Sequence, residues 1–384
     1  MFHPQQVGHR FSMTSEPLIS PPLGPVLSGV PQSRVTSGGL KATLIDPIFD
    51  PTWDRLILSH PDATPFHSAA WAKVLATTYG HKPFYLRLTS DGETVALMPL
   101  MEVSSPFTGT RGVCLPFTDF CGALLFNEYE PQAGLREITA LARGHSWKHI
   151  DFRGTVGFPA GTGRLTNFYG HEIDLRVGAE DVAARFASSV RRAIRKAEKS
   201  GVVAEVDRSR AAVLEFYKLH ARTRRRHGIP PQPASFFLNI YEEIIRPGLG
   251  FVVLARTTGK LIAGAVFFQL GNKAVYKFAA SDIAFQELRG SNLVIWEAIK
   301  FLVQDNCKKL HFGRTSLDNE GLRQFKRSWG AEEQMIEYLR FDIASSAWVS
   351  TPDANGLGVH KKIFSRLPLG LNRLAGSMIY PHLD

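Results

Sequence analysis

The feature that most limits the fold of this chain is an order of helices and strands that occurs twice. In the first half, an amphipathic helix at 66–75 precedes a hairpin of strands at 84–88 and 95–101. A helix at 131–144 then precedes a strand at 148–152. The Ser-Asp-Gly sequence between the hairpin strands favours a tight turn, which supports this assignment.

The second half repeats this order of elements. Its predicted elements are a helix at 236–245, strands at 250–255, 261–270 and 273–280, a helix at 292–305 and a strand at 309–312. The strand at 309–312 corresponds in position to the strand at 148–152. A recurring order of this kind predicts two related α/β lobes.

Composition and pattern divide the chain into four regions. The predicted regions are a flexible N-terminal tail at 1–41, an N-terminal lobe at 42–170, a C-terminal lobe at 171–345 and a C-terminal tail at 346–384. The first tail is rich in Pro, Ser and Gly, and such a segment cannot offset its ordering entropy. A helical insertion at 179–228 is predicted between the two lobes.

Charge and cysteine content restrict the partners. The net charge of +10 over 384 residues favours anionic partners such as phosphates, nucleic acid or an acidic membrane surface. Cys114, Cys121 and Cys307 have no metal-ligand spacing, so no metal site is expected.

No apolar run is long enough to span a bilayer and no secretory signal is evident, so we expect a cytoplasmic protein.

The segment 312–330 contains the most informative side chain, Lys326. A Gly-Arg turn is predicted to close a strand, and Asp318 or Asn319 offers a cap for a short helix. On that helix Leu322, Phe325 and Trp329 form one apolar stripe, and Lys326 lies within it. Either the lysine extends along the helix to reach solvent, or it has an anionic partner or a chemical role.

Two further helices carry clustered basic residues. A helix at 183–199 gathers Arg185, Arg192, Arg195 and Lys199 on one face, which is either a phosphate-contacting face or a solvated one. Ser188 and Ser189 offer an alternative start for that helix.

The next helix starts at Ser209 and ends before Gly228. Its inward stripe of Val213, Tyr217 and His220 is predicted to continue through Arg224 and His227 into a cleft between the lobes. The alternative is that these last two side chains pair with buried carboxylates or carbonyls.

A strand, loop and helix form a third candidate site. The strand contains Tyr276, and the loop ends in Gly290, Ser291 and Asn292 at the start of an apolar helix. Free N–H groups at a helix start favour an anion; Gly290 would allow close approach and Ser291 would cap the helix. The chain has no Ser-His-Asp order, Walker loop, HExxH or dinucleotide GxGxxG sequence.

Three runs together resemble the FemAB-like branch of the GNAT acyltransferase superfamily. They are SSVRRAIRKAEKSGV at 188–202, FYKLHARTRRRHGIPP at 216–231 and the segment from HFGRTS to GLRQFKRSWG at 311–330. The resemblance covers about half of the chain. The tail at 366–376 is similar to that of FemAB-like proteins from bacterial exopolysaccharide systems.

This resemblance implies a fold and an activity. It implies tandem GNAT-like lobes, each a mixed, mostly antiparallel sheet flanked by helices, and transfer of an acyl or aminoacyl group to an amine. The setting would be cell-envelope, peptidoglycan or exopolysaccharide synthesis. The donor would be acyl-CoA or aminoacyl-tRNA, and the acceptor an anionic or lipid-linked amine.

The resemblance also assigns residues to the site. Lys326 matches the active-site lysine, and Arg191, Arg192, Lys196 and Arg224 match binding residues. For the general base, His227 is a candidate, with water or the substrate as alternatives. The other predicted substrate- or cofactor-binding residues are Tyr276, Gly290, Ser291, Asn292, Arg314 and Phe325.

The chain departs from the family pattern in two places. In Gln286-Glu-Leu-Arg-Gly-Ser, Arg289 stands where the GNAT pyrophosphate loop has its first glycine. No coiled-coil arm of the kind found in some peptidoglycan-building members is visible. The donor therefore stays open between acyl-CoA and aminoacyl-tRNA.

Two alternatives to a soluble enzyme remain. One is a non-catalytic nucleic-acid or envelope-assembly binding protein that keeps a GNAT-like scaffold. The other concerns the C-terminal tail, in which Lys361, Lys362, Arg366 and Arg373 lie among apolar residues. That segment either contacts the inner membrane surface or packs as an ordinary helix on the C-terminal lobe, and we favour packing.

Overall fold

Two β-sheets and ten α-helices form the part of the chain that the computed structural model describes, residues 34–35, 40–127, 131–154, 157, 163–350 and 364–383. The strands are β1 (Arg34–Val35), β2 (Leu40–Ile45), β3 (Lys82–Pro83), β4 (Tyr85–Ser90), β5 (Glu93–Met98), β6 (Met101–Ser105), β7 (Gly109–Val113), β8 (Leu124–Leu125), β9 (His149–Arg153), β10 (Thr166–Asp174), β11 (Val203–Asp207), β12 (Gly250–Thr257), β13 (Lys260–Leu270), β14 (Lys273–Ser281), β15 (Lys309–Ser316), β16 (Glu332–Asp342) and β17 (Ala347–Trp348). The helices are α1 (Trp53–Leu58), α2 (Ala69–Tyr79), α3 (Pro131–Gly144), α4 (Ala179–Ala184), α5 (Ser188–Lys199), α6 (Arg210–Arg226), α7 (Ala234–Ile240), α8 (Gly290–Gln304), α9 (Glu320–Arg327) and α10 (Leu369–Ile379).

One long sheet runs through both lobes. Its strand order is β11-β12-β13-β14-β15-β10-β16-β9-β7-β6-β3, with β17 added beside β16. The N-terminal lobe, β1 to β9, also has a five-stranded sheet in the order β1-β2-β4-β5-β8. The C-terminal lobe comprises β10 to β17. Since β16 pairs with β10 on one side and with β9 on the other, it joins the lobes by backbone hydrogen bonds.

Each lobe contains one parallel strand pair in a mostly antiparallel sheet. In the N-terminal lobe β7 and β9 are parallel and α3 connects them. In the C-terminal lobe β14 and β15 are parallel and α8 connects them. The predicted fold class is confirmed, and the strands at 148–152 and 309–312 indeed occupy equivalent positions.

The parallel pair of the C-terminal lobe separates soon after it forms. Residues 273–275 of β14 pair with residues 309–311 of β15. Beyond that point β14 stays with β13, whereas β15 follows β10 as far as the Phe168–Ser316 pair. A gap therefore opens between the two strands, and it widens toward the start of α8.

A bulge in β15 lies beside this gap. The predicted Gly-Arg turn after Phe312 is wrong, because β15 continues to Ser316. Gly313 has a φ of +71°, and the register of β10 against β15 shifts opposite it. A Cβ at this position would lie 3.4 Å from the Asp119 carboxyl carbon, so glycine satisfies both the backbone conformation and the close approach.

Two apolar cores lie on opposite faces of the long sheet. The first joins the N-terminal lobe to α6 and α7, with Trp71, Phe236 and Phe268 fully buried. The second lies between the sheet and helices α5, α8 and α9, with Ile299 and Trp329 fully buried. The gap between β14 and β15 therefore opens to both faces of the sheet, each of which is covered by one of these cores.

The helical insertion differs from its prediction. The expected helix at 183–199 is divided into α4 and α5, and the edge strand β11 follows them. The division occurs where the Ala187 N–H leaves the helix to donate to the Ser328 carbonyl, 2.8 Å away. The second helix begins at Ser188, as the serine pair allowed, but without a side-chain cap.

Several observed strands cross or lie outside the predicted domain limits, β17 in the predicted C-terminal tail among them. The boundary at residue 170 lies inside β10. Residues 34–35 and 40–41, expected in the N-terminal tail, lie in strands β1 and β2. Residues 1–33 and 36–39 of the predicted N-terminal tail, and 351–363 of the C-terminal tail with Lys361 and Lys362, are outside the described residues.

The end of the chain forms α10, which packs against α6. Tyr380 accepts a hydrogen bond from Arg224 and Tyr217 accepts one from Arg373, at 2.6 and 3.0 Å. A Cβ on Gly376 would lie 2.0 Å from the Pro231 carbonyl oxygen, so this contact needs glycine. No helix in the described ranges has the length and apolar content needed to cross a membrane.

Candidate active site

Lys326 is the buried residue of α9. The helix begins at Glu320, and the Asn319 side chain caps it by accepting the Leu322 N–H, as predicted. Only 5% of Lys326 is exposed, whereas Leu322 is 37% exposed. The prediction that Leu322 belongs to the inward stripe is therefore wrong, although Phe325 and Trp329 do pack against each other.

The ammonium group of Lys326 ends at the bulge in β15. Nζ donates to the carbonyls of Gly313 and Arg314 at 2.9 and 3.1 Å, so the side chain does not extend to solvent. An ammonium has three N–H bonds, and these two acceptors leave one without a partner among the described residues. Burial lowers the pKa of Lys326 to about 8, and the charge of Asp119 partly opposes this shift.

Asp119 faces the same bulge from the N-terminal lobe. Its Oδ2 accepts from Lys277 Nζ at 3.1 Å, and Lys277 also donates to the Phe117 carbonyl at 2.6 Å. Burial alone would raise the pKa of Asp119, but the charges of Lys277 and Arg314 outweigh it and lower the pKa. The carboxylate is therefore ionised at neutral pH.

The segment that carries Asp119 is strained and firmly held. Leu115 and Phe117 both have left-handed backbone conformations, with φ of 55° and 57°, which are uncommon for residues other than glycine. Arg153 donates to the Leu115 carbonyl at 3.2 Å, and the Tyr338 hydroxyl donates to the Asp119 carbonyl at 2.9 Å. Strained backbone of this kind persists where surrounding contacts fix it, and it often occurs at functional sites.

Arg314 follows the bulge and adds positive charge near Asp119. Its guanidinium lies over the rings of Phe168 and Tyr338, with centroid distances of 4.4 and 5.0 Å. The residue is exposed despite these contacts. It is a predicted site residue that the structure places at the candidate site.

Two histidines near Lys326 are held neutral. The His311 Nδ1 accepts the Gly313 N–H at 2.9 Å, and burial lowers the pKa of His311 to about 3. Burial and the charge of Lys326 lower the pKa of His171, whose Nε2 lies 3.0 Å from Glu333. Neutral imidazoles avoid additional positive charge beside the buried ammonium.

A cavity of about 520 Å³ opens between the lobes beside these groups. Its floor includes Lys309 and His311 of β15, and its opposite wall is formed by the N-terminal lobe around Thr64–His67 and Phe120–Leu125. Phe120 follows Asp119 directly and packs on His311, with ring centroids 4.2 Å apart. Phe120 lines the cavity, whereas Asp119 is not among its lining residues.

A second cavity of about 230 Å³ lies at the start of α8. Gly290, Ser291, Asn292 and Phe325 all line it, so these predicted residues do come together. Ser291 does not cap the helix as expected; Arg289 occupies the cap position in a left-handed conformation, with φ of 59°. Tyr276 lies on the neighbouring part of β14, where its ring packs against Phe312 at 5.7 Å.

The basic residues of α5 and α6 are placed away from this arrangement. Arg191 donates to the carbonyls of Ala184 and Phe186 at 3.1 and 2.7 Å. Arg192 and Lys196 are exposed on α5. None of the described hydrogen bonds joins these three side chains to Asp119 or Lys326.

The inward orientation predicted for the end of α6 holds only in part. Arg224 donates to the Pro230 carbonyl and to the Tyr380 hydroxyl. This agrees with the alternative in which the side chain pairs with a carbonyl. His227 is exposed, so the expectation that it points into a cleft is wrong. The reason is that α6 ends at Arg226, and His227 therefore no longer follows the helical stripe.

Sequence reasoning missed Asp119, Lys277 and His311 as members of this cluster. Asp119 lies in the other predicted lobe, 158 positions from Lys277, so no local spacing relates the two. His311 lies in the third family-like run but is not among the predicted site residues. Its signal was available, because a polar residue in an otherwise apolar strand pattern requires a hydrogen-bond partner.

Comparison with known proteins finds a family-model match within the C-terminal lobe. Residues 184–327 match the family model described as an acetyltransferase (GNAT) domain. The matched range includes Lys326, Lys277 and His311 but not Asp119. A search of the curated proteins found no match.

Several solved structures share the fold over most of their length. FemX has a TM-score of 0.59 at 14% identity, covering 74% of this chain and 94% of FemX. L-PGS from Bacillus licheniformis has a TM-score of 0.51 at 13% identity, covering 83% of this chain and 96% of its own. The tandem GNAT protein from the clavulanic acid biosynthesis pathway also has 0.51 at 13% identity, covering 79% and 98%. At these identities the likeness concerns the fold.

Proposed function

We propose that this chain is a FemAB-like N-acyltransferase of the GNAT superfamily, a proposal supported by the GNAT domain match at 184–327 and by the fold that the chain shares with FemX. It transfers an acyl or aminoacyl group from a phosphate-bearing carrier to an amine, in cell-envelope or exopolysaccharide synthesis. The carrier is acyl-CoA or aminoacyl-tRNA. The observation that carries the proposal is the meeting of a buried ammonium and an ionised carboxylate, Lys326 and Asp119, at the bulge where β14 and β15 separate.

The two charged groups suit the two needs of aminolysis. The attacking amine must lose a proton as its N–C bond forms, and the Asp119 carboxylate is ionised and can accept that proton. Negative charge develops on the acyl oxygen, and the remaining N–H of Lys326 can donate to it. The bond from the acyl carbon to the sulfur or oxygen of the carrier then breaks, and the carrier leaves with a proton.

The donor phosphates are assigned to the cavity at the start of α8. The N–H groups of Gly290 and Ser291 lie at the positive end of a 15-residue helix, while the Asn292 N–H donates to the Arg289 carbonyl at 2.9 Å. Arg289 adds a positive charge where the usual GNAT loop has glycine. Arg192 and Lys196 are exposed on α5, which packs against α8, while Arg191 and Arg224 hold backbone carbonyls and so fix the surrounding chain.

Incubation with each donor class and a mixture of amines tests the proposal. We expect amine-dependent release of free CoA thiol from acyl-CoA, or amine-dependent deacylation of aminoacyl-tRNA. Adding negative charge with Ser291→Asp should raise KM for the active donor about tenfold, because the helix start would then repel phosphate. Ser377→Asp on α10, where the hydroxyl is exposed, serves as the matched control. Salt-sensitive RNA binding without turnover of either donor would support the non-catalytic alternative instead.

The proposal also includes peripheral contact with a membrane surface through α10. Leu371, Leu374 and Met378 are 54%, 56% and 66% exposed and lie on one side of this helix. Arg366, just before the helix, is exposed and suits an anionic lipid surface, whereas Arg373 faces α6 and donates to Tyr217. A lipid-linked acceptor would be reached from that position.

Sedimentation with vesicles tests this contact. We expect the wild-type protein to sediment with vesicles containing phosphatidylglycerol more than with neutral vesicles, since apolar burial and charge act together. Leu371→Ser with Met378→Ser should lower the bound fraction several-fold, and Leu58→Ser, on an exposed apolar residue of α1, should not. Equal sedimentation of all three proteins would contradict the assignment.

A further inference from the structure

Three arginines near the end of α6 have no part in the site described above. Arg222, Arg225 and Arg226 line a cavity of about 400 Å³, together with Ser281 and Asp282 at the end of β14. We call it the arginine cavity. Its volume falls within the range of small-molecule sites.

The positive charge of the arginine cavity is not cancelled by its neighbours. Among the described residues, no carboxylate forms a salt bridge with any of the three arginines, and only Asp282 brings a carboxylate to the lining. That carboxylate lies 3.9 Å from the Lys260 ammonium, which offsets it. Arg226 donates to the Ser281 carbonyl at 3.1 Å, a contact that fixes the guanidinium without neutralising it.

The helix dipole does not reverse this balance. The carbonyl end of α6 carries the equivalent of about half a negative charge, which by itself disfavours an anion. A single arginine in the last turn would already offset it, so three exceed what the helix end requires. Arg222 and Arg226 are exposed, and an anion can therefore reach them from solvent.

The arginine cavity adjoins the cavity at the start of α8. Ser281 and Asp282 line both, so the two meet around the end of β14. Ile283 follows directly, lines the arginine cavity and is 59% exposed. It adds an apolar surface beside the guanidinium groups, as the sugar or base of a nucleotide requires.

We propose that the arginine cavity binds a second phosphate of the donor carrier, separate from the phosphate at the start of α8. Guanidinium groups suit this role, because their paired N–H bonds match two oxygens of one phosphate. Either carrier supplies such a group: CoA has a 3′-phosphate besides its pyrophosphate, and tRNA has a phosphate in every nucleotide. The arginines hold the carrier and touch no reacting atom. The inference rests on the proposed function.

Binding of CoA and dephospho-CoA, measured by calorimetry without an acceptor, tests the inference for the first carrier. The two ligands differ only in the 3′-phosphate. We expect the wild-type protein to bind CoA about tenfold more tightly, the effect of roughly one charge-assisted hydrogen bond. Arg222→Gln with Arg225→Gln should remove this preference. The charge-matched control is Arg55→Gln with Lys41→Gln, which removes two exposed charges of the N-terminal lobe and should leave the preference intact.

Two further variants locate the phosphate. Ser291→Asp should weaken CoA and dephospho-CoA alike, since both keep the pyrophosphate assigned to the start of α8. Arg222→Lys with Arg225→Lys keeps the charge and should retain part of the preference for CoA. Arg226 stays unchanged because it holds the Ser281 carbonyl. Thermal unfolding of each variant verifies that it is folded.

The salt dependence of tRNA binding tests the inference for the second carrier. Each lost phosphate contact lowers the slope of log K against log salt concentration by about 0.7 to 0.9. With tRNA as the carrier, the glutamine pair at Arg222 and Arg225 should therefore reduce the slope by at least that amount. The control pair should leave the slope unchanged.

The outcomes separate this inference from the proposed function. A carrier that binds with the same CoA preference and the same tRNA salt slope in the folded glutamine pair would overturn the inference and leave the proposed function standing. Loss of vesicle sedimentation alone would assign the arginine cavity to a lipid phosphate and would overturn it too. Absence of binding by either carrier would refute the proposed function, and the inference with it.

Discussion

Replacing Lys326 with methionine is expected to lower kcat/KM about 100- to 1000-fold, as loss of one preorganised donor to a developing oxyanion does. Methionine matches the length of the lysine stem and removes a buried charge, since only 5% of Lys326 is exposed. Folding should therefore be retained or improved. Steady-state kinetics with the active donor, together with thermal unfolding, measure both quantities. Lys300→Met is the matched control, because Lys300 pairs with Glu297 on the surface of α8.

The pH dependence of the same residue separates its chemical role from a structural one. Burial lowers the pKa of Lys326 from its ordinary value of 10.5 to about 8. Between these values the folded state binds fewer protons than the unfolded state, so the contribution of Lys326 to the free energy of unfolding rises with pH, by up to ~3 kcal/mol. Activity should fall over the same window, because the ammonium donor is lost above pH 8.

Opposite pH trends in stability and activity are thus expected for the wild-type protein and not for Lys326→Met. Lys326→Arg keeps its charge over this range and should shift any decline in activity to higher pH. Activity within threefold of wild type in Lys326→Met, with an unchanged pH profile, would show that Lys326 has no role in the chemical step.

Replacing Asp119 with asparagine is expected to lower kcat by 100-fold or more, in the range lost with a general base. Asparagine has the same shape but cannot accept the proton of the attacking amine. It also leaves the ammonium of Lys277, whose side chain is 6% exposed, without its carboxylate. Removal of one partner from a buried pair costs about 3 kcal/mol, so the free energy of unfolding should fall as well.

A double variant distinguishes these two effects of Asp119. Asp119→Asn with Lys277→Met removes both charges and should recover most of the lost stability, while activity stays low. Denaturant unfolding and kcat, measured on the single and double variants, provide the comparison. Recovery of activity together with stability would mean that Asp119 only holds Lys277 in place.

The sequence allowed prediction of local structure and of one site residue. Alternation and helical spacing located most strands and helices, and the stripe of Phe325 and Trp329 indicated that Lys326 would be buried. These features depend on neighbours a few positions apart. The resemblance to a family was carried by runs in the same part of the chain that the GNAT family model later matched.

The remaining features depend on contacts between distant positions. The division between α4 and α5 follows a hydrogen bond from Ala187 to Ser328, which no local pattern contains. The carboxylate beside Lys277 comes from the other lobe. A Gly-Arg pair is compatible with a turn or with a bulge, so the sequence predicts a turn at Gly313 where the pairing of β15 with β10 produces a bulge.

The strand β16 has a consequence for how the protein is made. It completes the sheet of the N-terminal lobe at β9, yet it lies at residues 332–342, after almost all of the C-terminal lobe. During synthesis, the edge of β9 that pairs with β16 therefore has no hydrogen-bond partner until nearly the whole chain has left the ribosome. The two lobes, which resemble separate units in the sequence, become stable together, and a truncation before β16 would leave the first lobe prone to aggregation.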